Sequence, residues 1–492
     1  RYAYFLEYMV NYNKISIKKM DRMYNRIDER IIKRIEGIVG RENLIIEEEK
    51  MIDYSHDEIA LSELFHFPEI VVKPQNTQQV SELVRLCSQE KIPLTPRGGG
   101  TGLSGGCIPV FGGIVMSFEN MKKIIEVDKK SFTATAEAGV TLSEFYSEVE
   151  KIGLFFPPHP GDETATIGGV ISTNAGGARA LKYGVIRNFI RGVEVVFADG
   201  SVEVLGGKFM KNSTGYNLLN LLIGSEGTLG IITKGIISLF PPPPVIWTLV
   251  VPYQDLKNAI KSAPQILQRG IIPMAIEFME RETVEVVENY INKKFPCEKG
   301  KAYLILIVDG NSEEELMKIS EQISDICLQN DAMDILVAEG KEKQKEILDI
   351  RSMVYEALKN YTLEILDVTI PRAKIDDFLI EVKEIESKYN TYIPSYGHAG
   401  DGNVHNHIMK AKFENGKWEE IDDWREKYRK IKEEILKIGK KYDGILSGEH
   451  GVGLIKKDYV KWFLGEKQIK LMKEIKRIFD PLNILNPGKI FI

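Results

Sequence analysis

Hydrophobic and polar residues follow two different periods along this chain, and the first is helical. Residues from about 15 to 39 are rich in charge, and their apolar positions recur every three to four residues. These positions are Ile27, Ile31, Ile32, Ile35, Ile38 and Val39. The spacing predicts an amphipathic helix that packs its apolar face on the body of the protein or on a partner.

The next part of the chain carries short apolar runs that predict strands. Residues 69–73 lie between two prolines and predict a buried strand, residues 77–90 predict a helix, and a second strand is expected before Pro93. Further strand patterns occupy residues 114–118, 132–137 and 229–239, and a hairpin pattern occupies 193–205 around Asp199-Gly200. Four consecutive prolines at 241–244 fit neither a helix nor a ladder, so a domain boundary is predicted there.

Beyond these prolines, strand and helix patterns alternate. Strands are predicted at 246–251, 275–279, 302–308 and 364–370. Helices are predicted at 256–268, 283–293, 313–329, 344–360 and 373–388. This order is typical of an α+β domain.

Composition limits the class of protein. A chain of 492 residues exceeds one hydrophobic core, so two or three domains are expected. With 65 basic and 71 acidic residues, the net charge of -6 gives no general attraction for nucleic acid. The four cysteines show no C-x-x-C spacing, which favours a cytoplasmic location and argues against a disulfide framework or an iron–sulfur cluster.

Neither a membrane span nor export is expected from the sequence. No stretch reaches the ~18 apolar residues of a transmembrane helix, and residues 1–13 lack the core of a signal peptide. Peripheral attachment to a membrane is left open.

Histidine is scarce, yet it is concentrated near the C-terminus. Of seven histidines, four lie in two short glycine-flanked stretches that we interpret as turns, at 397–407 and 447–451. These are His398, His405, His407 and His450. Two histidines and a carboxylate make a three-ligand metal site with positions open for a substrate. The alternative is that the turns carry solvated histidines.

A second glycine-rich block lies in the first half of the chain. Residues 96–106 read Pro-Arg-Gly-Gly-Gly-Thr-Gly-Leu-Ser-Gly-Gly, and such a loop aims successive backbone N–H groups into a concavity that binds pyrophosphate. It is neither a P-loop nor the dinucleotide fingerprint. By itself it is explained equally well as a tight turn.

Three further motifs follow at residues 157–169, 172–177 and 224–232, and another at 483–489. Together they resemble the p-cresol methylhydroxylase type of FAD-binding domain. With the histidine stretches, the chain from about residue 45 resembles the family of FAD-linked glycolate oxidase subunits and D-lactate dehydrogenases.

The resemblance implies an α+β fold in four segments. An N-terminal helical extension (1–45) precedes a two-subdomain FAD-binding domain (46–243). A substrate-binding cap with an antiparallel sheet (244–446) follows, and a C-terminal segment (447–492) returns to the FAD domain and completes the active site.

The resemblance also implies FAD between the two subdomains, with the pyrophosphate on the 97–102 loop and Glu226 and Ile232 beside the adenosine-to-ribityl part. The residues expected to bind FAD are Arg97, Gly98, Gly99, Gly100, Thr101, Gly102, Ser104, Gly105, Pro160, Gly161, Thr166, Gly168, Gly169, Thr173, Asn174, Gly176, Gly177, Glu226, Gly227, Ile232 and Asn486. Relatives with covalent flavin carry a histidine in the glycine loop, where this chain has Thr101 and Ser104. Non-covalent FAD is therefore expected.

By the same resemblance, His398, His405 and Glu449 bind one divalent metal, which is Zn²⁺, Fe²⁺ or Mn²⁺. His450 is expected to be the general base, and Arg351 to bind the substrate carboxylate. Hydride would pass from the α-carbon of a 2-hydroxy acid to the flavin. Asn403 and His407 are candidates for supporting the ligands, and Asp401 for capping a turn.

One departure narrows the substrate. Relatives that act on 2-hydroxy dicarboxylic acids carry an additional lysine before the sequence Asp-x-x-x-Pro, whereas residues 363–367 here contain none. A small monocarboxylic acid is expected, D-lactate before glycolate.

The chain has no cluster ligands, haem motif or nicotinamide fingerprint, so a partner is expected to take the electrons. An electron-transferring flavoprotein, an iron–sulfur subunit or a membrane quinone would serve. Two alternatives stay open: a metal-dependent hydrolase whose glycine loop binds a substrate phosphate, and a non-catalytic flavin-carrying electron relay.

Overall fold

The structure is a computed structural model, and it describes residues 23–491. The predicted N-terminal helix begins at Glu29 rather than near residue 15, because the Asp28 side chain accepts a hydrogen bond from the Ile31 N–H and caps the first turn. Residues 23–28 are not helical, and 15–22 lie outside the described residues. This helix, α1 (Glu29–Val39), shares the core of the first sheet through Ile31 and Val39.

The first sheet has the order β1-β2-β4-β3. Its strands are β1 (Leu44–Ile45), β2 (Ile70–Val72), β3 (Leu94–Arg97) and β4 (Ile114–Ser117). Helix α2 (Thr77–Glu90) connects β2 to β3, which both pair parallel to β4. The prediction of a strand before Pro93 is wrong: the strand follows Pro93, because Lys91 in the left-handed conformation ends α2 and leaves a turn up to Pro93.

The second sheet is antiparallel, with the order β5-β6-β9-β7-β8. Its strands are β5 (Ile124–Asp128), β6 (Thr133–Glu137), β7 (Ile190–Val196), β8 (Val202–Gly206) and β9 (Ile231–Ser238). Its helices are α3 (Leu142–Lys151), α4 (Ile167–Thr173), α5 (Ala180–Tyr183) and α6 (Leu218–Leu222). The predicted hairpin is confirmed as β7 and β8, with Gly200 at φ +82° in its turn.

The third sheet is also antiparallel, with the order β13-β10-β12-β11-β15-β16-β14. Its strands are β10 (Val245–Tyr253), β11 (Ala275–Glu280), β12 (Ala302–Gly310), β13 (Leu336–Ala338), β14 (Thr362–Thr369), β15 (Ser395–His398) and β16 (Asn403–Met409). The helices of this part are α7 (Leu256–Gln268), α8 (Arg281–Ile291), α9 (Glu313–Gln329), α10 (Lys341–Ser352), α11 (Val354–Leu358) and α12 (Ile375–Tyr389). The helix predicted at 344–360 is therefore interrupted, since Met353, at ψ 2°, separates α10 from α11.

The C-terminal part crosses back to the first sheet. It contains a hairpin of β17 (Ala411–Glu414) and β18 (Lys417–Glu420), and helices α13 (Trp424–Lys441), α14 (Val460–Phe463) and α15 (Glu466–Phe479). The N–H of Leu94 then donates to the Ile484 carbonyl at 2.8 Å, and the N–H of Asn486 donates to the Leu94 carbonyl at 2.7 Å. The predicted α+β fold with an antiparallel cap sheet is confirmed.

None of the helices between residues 23 and 491 combines the length and the apolar character that a membrane crossing requires.

Candidate active site

Two short strands of the third sheet bring the histidines together. β15 ends at His398 and β16 begins at Asn403, so the stretch interpreted as a turn is a hairpin. The interpretation is wrong for His405 and His407, which lie inside β16 because that strand pairs with β14 on one side and β15 on the other. Gly402, at φ +96°, makes the tight connection, and a side chain there would overlap the Ile370 carbonyl.

The three predicted metal ligands lie side by side. Glu449 Oε1 is 3.6 Å from His398 Nε2 and 3.4 Å from His405 Nε2. Burial alone would lower the pKa of His398, but the Glu277 and Glu449 carboxylates outweigh it and hold that pKa well above its ordinary value. Burial alone would raise the pKa of Glu449, yet the two histidines hold it well below its ordinary value. Glu449 and His398 thus form a pair of opposite charges, and His405 lies beside the same carboxylate oxygen.

This arrangement fits a divalent metal ion. Two ligand atoms bound to one ion at about 2.1 Å, in tetrahedral geometry, lie about 3.4 Å apart, close to the distances from Glu449 to both histidines. His398 Nδ1 hydrogen-bonds to Glu277. When His398 is neutral, Nδ1 carries the proton, and the lone pair of Nε2 faces the Glu449 carboxylate. Two electron pairs that face each other require a cation between them, either a proton or a metal ion.

Asp367 also lies in this cluster, and sequence reasoning missed it. Among residues 23–491, four side chains have ligand atoms that all lie within 4.8 Å of one another, and this set does not include His398: Asp367, His405, Glu449 and His450. Both Asp367 oxygens are already hydrogen-bonded: Oδ1 accepts from the Asn403 amide at 2.8 Å. Oδ2 accepts from the Ser447 hydroxyl at 2.8 Å and from the backbone N–H groups of Glu449 and His450 at 2.9 Å. Asp367 therefore anchors the 447–450 turn rather than completing a ligand set.

His450, the predicted base, is fixed by the same turn. Its ring stacks on that of His405 with centroids 5.2 Å apart, and its Nε2 lies 4.0 Å from Glu449 Oε1. Burial lowers the pKa of His450 to about 4, in spite of the nearby Asp367 carboxylate. The ring is therefore unprotonated at neutral pH, which is the state that a general base requires.

Arg351, the predicted carboxylate anchor, reaches the cluster from α10. Its Nε and Nη2 donate to Glu277 Oε2 at 2.8 and 2.6 Å, and its guanidinium lies over the Tyr396 ring, 4.9 Å from the centroid. Glu277 Oε1 is 2.5 Å from His398 Nδ1. Glu277 and Tyr396 were not predicted, and Glu277 connects the arginine to a metal ligand.

The residues expected to support the ligands lie on the same hairpin. Asn403 donates to Asp367, and His407 Nε2 is 3.0 Å from the Tyr396 hydroxyl. Asp401 Oδ1 accepts from the Asn403 N–H at 3.1 Å, so it caps the hairpin turn as predicted.

The glycine-rich loop fits a pyrophosphate. Within residues 23–491, the backbone N–H groups of residues 98–102 have no hydrogen-bond acceptor, so they are left for a ligand. Gly100 and Gly105 lie at φ +76° and +74°. The Arg97 guanidinium folds over Gly100 and hydrogen-bonds to the His56 carbonyl. Thr101 and Ser104 follow in the same loop.

The second glycine motif packs against the first. Thr166 caps α4 by accepting from the Gly169 N–H at 3.3 Å, and a side chain on Gly98 would overlap the Thr166 hydroxyl. Asn174, at φ 54°, ends α4 and turns the chain toward Gly177. The other predicted residues of this motif inside α4 are Gly168 and Thr173, whereas Pro160 and Gly161 lie in the turn before it.

The remaining predicted FAD residues contact other parts of the protein. The Glu226 carboxylate accepts from the backbone N–H groups of Val452 and Gly453 at 2.8 and 2.7 Å. The Asn486 amide donates to the carbonyls of Gly106 and Glu226 at 3.0 and 2.8 Å. Gly227 packs on Pro96, and Ile232 is buried in β9.

The C-terminal turn is where the two halves of the chain meet. The Ser104 hydroxyl of the glycine loop lies 3.1 Å from the carbonyls of His450 and Gly451. Gly176 lies so close to Glu449 that a side chain at Gly176 would overlap the carboxylate. The candidate metal ligand and base are therefore in direct contact with the predicted flavin-binding motifs.

Comparisons with known proteins identify the family of this chain. A model of the C-terminal domain of FAD-linked oxidases matches residues 242–490, and an FAD-binding domain model matches 68–206. The chain is 38% identical over 474 residues to a D-lactate dehydrogenase from Anaerostipes hadrus, which covers 95% of this chain and 98% of that protein. It is 36% identical over 457 residues to a glycolate oxidase subunit from Bacillus subtilis, covering 92% and 95% of the two chains.

The structure also resembles that of p-cresol methylhydroxylase, with a TM-score of 0.74 and 18% identity over 93% of this chain and 96% of that one. The fold predicted for the FAD-binding domain is confirmed by this likeness. Because the two family models cover residues 68–206 and 242–490 and the relatives match nearly the whole length, this chain belongs to the family of FAD-linked oxidases and is an FAD-dependent oxidoreductase.

Proposed function

We propose that the protein oxidises a small D-2-hydroxy acid, D-lactate in preference to glycolate, to the 2-oxo acid, and passes the electrons to a partner protein. The observation that carries the proposal is the position of the Glu449-His450 turn. Its carboxylate faces two histidines of the cap, while its backbone contacts Ser104 and its side chain contacts Gly176 in the FAD-binding half. A substrate held there meets both halves at once.

The residues of the candidate site have separate tasks in this proposal. His398, His405 and Glu449 would hold a divalent ion, which lowers the pKa of a coordinated hydroxyl when bound. His450 Nε2, on the side of Glu449, accepts the hydroxyl proton. Arg351 binds the substrate carboxylate and so orients the α-carbon. Non-covalent FAD, held by the 97–105 loop and the 166–177 motif, supplies the hydride acceptor.

Two relatives support the substrate class, since they are named for D-lactate and glycolate. The strand leading to Asp367 supports a monocarboxylic acid, because residues 363–366 carry no basic side chain for a distal carboxylate. A lysine does lie near the cluster, but it is occupied: Lys456 donates to the Ser447 hydroxyl at 2.9 Å and lies 3.6 Å from Asp367. It neutralises the anchor of the turn.

A substrate panel tests the proposal. Anaerobic mixing with D-lactate should bleach the flavin, and steady-state assays with an artificial electron acceptor should give D-lactate the largest kcat/KM among D-lactate, L-lactate, glycolate and D-2-hydroxyglutarate. The largest value for the dicarboxylate would reject the monocarboxylate assignment. A protein whose flavin no 2-hydroxy acid reduces would be an electron relay, and one purified without flavin absorbance would favour the hydrolase alternative.

The contact of Gly176 with Glu449 gives a second prediction. Gly176→Ala should lower kcat/KM for D-lactate at least about tenfold, because the methyl group overlaps the carboxylate, at a cost of about 1–3 kcal/mol in the free energy of unfolding. Steady-state kinetics and chemical denaturation measure both. The control is Gly37→Ala on α1, where a methyl group meets nothing within 4 Å. Equal kcat/KM in the two variants would contradict the prediction.

The other assignments remain proposals. The four segments with boundaries near residues 45, 243 and 446 stay a proposal, and β1 (Leu44–Ile45), at the first boundary, pairs within the first sheet. The four cysteines are free thiols, which supports the proposed cytoplasmic location. The electron acceptor is proposed to be an electron-transferring flavoprotein or an iron–sulfur subunit.

A further inference from the structure

We infer that Glu277 is a positioning residue that joins the substrate-binding arginine to the metal centre, so that one buried carboxylate orients both; this rests on the proposed function. Glu277 lies on β11, directly opposite His398 on β15. Its side chain is 1% exposed. A carboxylate buried this deeply is stable only when cationic or N–H partners surround it.

The first partner of Glu277 is His398. Oε1 lies 2.5 Å from His398 Nδ1, which fixes the tautomer and the ring orientation. The other ring nitrogen, Nε2, then points at Glu449 Oε1, 3.6 Å away. A carboxylate behind a ligating histidine raises the basicity of that ligand and holds it in place.

The second partner is Arg351. One edge of its guanidinium, formed by Nε and Nη2, donates to Glu277 Oε2 at 2.8 and 2.6 Å. The ring of Tyr396 supports its face, with the centroid 4.9 Å away. The opposite edge, formed by Nη1 and the second hydrogen of Nη2, is left for a substrate carboxylate, so Glu277 selects which edge the arginine presents.

One carboxylate with two such partners couples two binding events. If Glu277 is moved or neutralised, both His398 and Arg351 lose their orientation. Because both orientations depend on the same carboxylate, metal affinity and substrate affinity should fall together. Two independent supporting residues would instead allow one affinity to fall without the other.

The test is Glu277→Gln in the FAD-loaded protein. A glutamine can accept from one partner, but it presents an NH₂ group to the other. We expect Zn²⁺ titrated into metal-stripped protein to bind 10- to 100-fold more weakly than in the wild type. We also expect KM for D-lactate to rise at least about tenfold, with a smaller change in kcat. Calorimetry and steady-state kinetics measure the two effects.

The matched control is Glu288→Gln. Glu288 is also a buried carboxylate of the cap and pairs with an arginine, Arg281 Nη2 at 2.8 Å, but neither residue contacts the candidate site. It should lose stability while keeping Zn²⁺ affinity and KM within twofold of the wild type. FAD content and thermal unfolding of both variants separate a general loss of structure from the specific effect.

The outcomes are distinguishable. Wild-type Zn²⁺ affinity and KM in Glu277→Gln would overturn the inference and leave the proposed function standing. If the wild type neither binds Zn²⁺ nor is reduced by D-lactate, the proposed function itself fails. If Glu277→Gln does not retain FAD, Glu277→Asp is measured instead. Its carboxylate is one methylene shorter and withdraws from both partners, so a loss in only one of the two affinities would also overturn the coupling.

Discussion

Replacing His450 by glutamine should lower the rate of anaerobic flavin reduction by D-lactate about 10²- to 10⁴-fold, the usual contribution of a positioned general base. The imidazole lies beside Glu449 with 15% of its side chain exposed and is unprotonated at neutral pH, and the amide cannot accept the proton. FAD and metal content should remain unchanged, because the turn is held by backbone N–H groups that donate to Asp367. Stopped-flow absorbance at the flavin band measures the rate.

The control for this variant is His66→Ala, which removes a histidine that lies before β2, outside the cluster. It should reduce its flavin at the wild-type rate. A fall of less than tenfold in His450→Gln, with FAD and metal retained, would contradict the assignment of His450 as the base.

Loss of the metal should have an effect of similar size. His405→Gln removes one of two nitrogen atoms that face Glu449, and we expect bound metal to fall from one equivalent to below about a tenth. The flavin-reduction rate should fall about 10³-fold, since several kcal/mol of transition-state stabilisation is lost. Chelation of the wild type should give the same loss, reversed by added metal. Elemental analysis and stopped-flow absorbance measure the two quantities.

His407→Gln is the matched control for the metal prediction. His407 is buried on the same strand, two residues from His405, but it hydrogen-bonds to Thr362 and Tyr396. This variant should be less stable and still bind one metal ion. Full metal content in His405→Gln, or a chelated wild type with undiminished activity, would contradict the proposed metal site.

The residues that the sequence identified share one property: their signal is local. The glycine loop at 96–106 and the Glu449-His450 turn are short runs whose backbone requirements are written in consecutive residues. Helices such as α2 and α9 followed from spacing within a single element. These features could be predicted without knowing what packs against them.

Boundaries were predicted less well, for a physical reason. The N-terminal helix starts where the Asp28 side chain caps it, and periodicity alone does not contain that hydrogen bond. His405 was assigned to a turn because Gly397, Gly400 and Gly402 precede it, but pairing with strands on both sides makes the segment extended.

By itself the sequence determined the family and gave the candidate cofactor-binding loops and candidate ligands, because each depends on residues close together in the chain. Only the tertiary structure decided how the ligands are supported. Strand register places Asp367 opposite His405 and Glu277 opposite His398. The partners are separated by up to 121 residues along the chain, so no periodic pattern in the sequence relates them. Register is fixed by the packing of whole sheets, which is why these two carboxylates appear only in the folded protein.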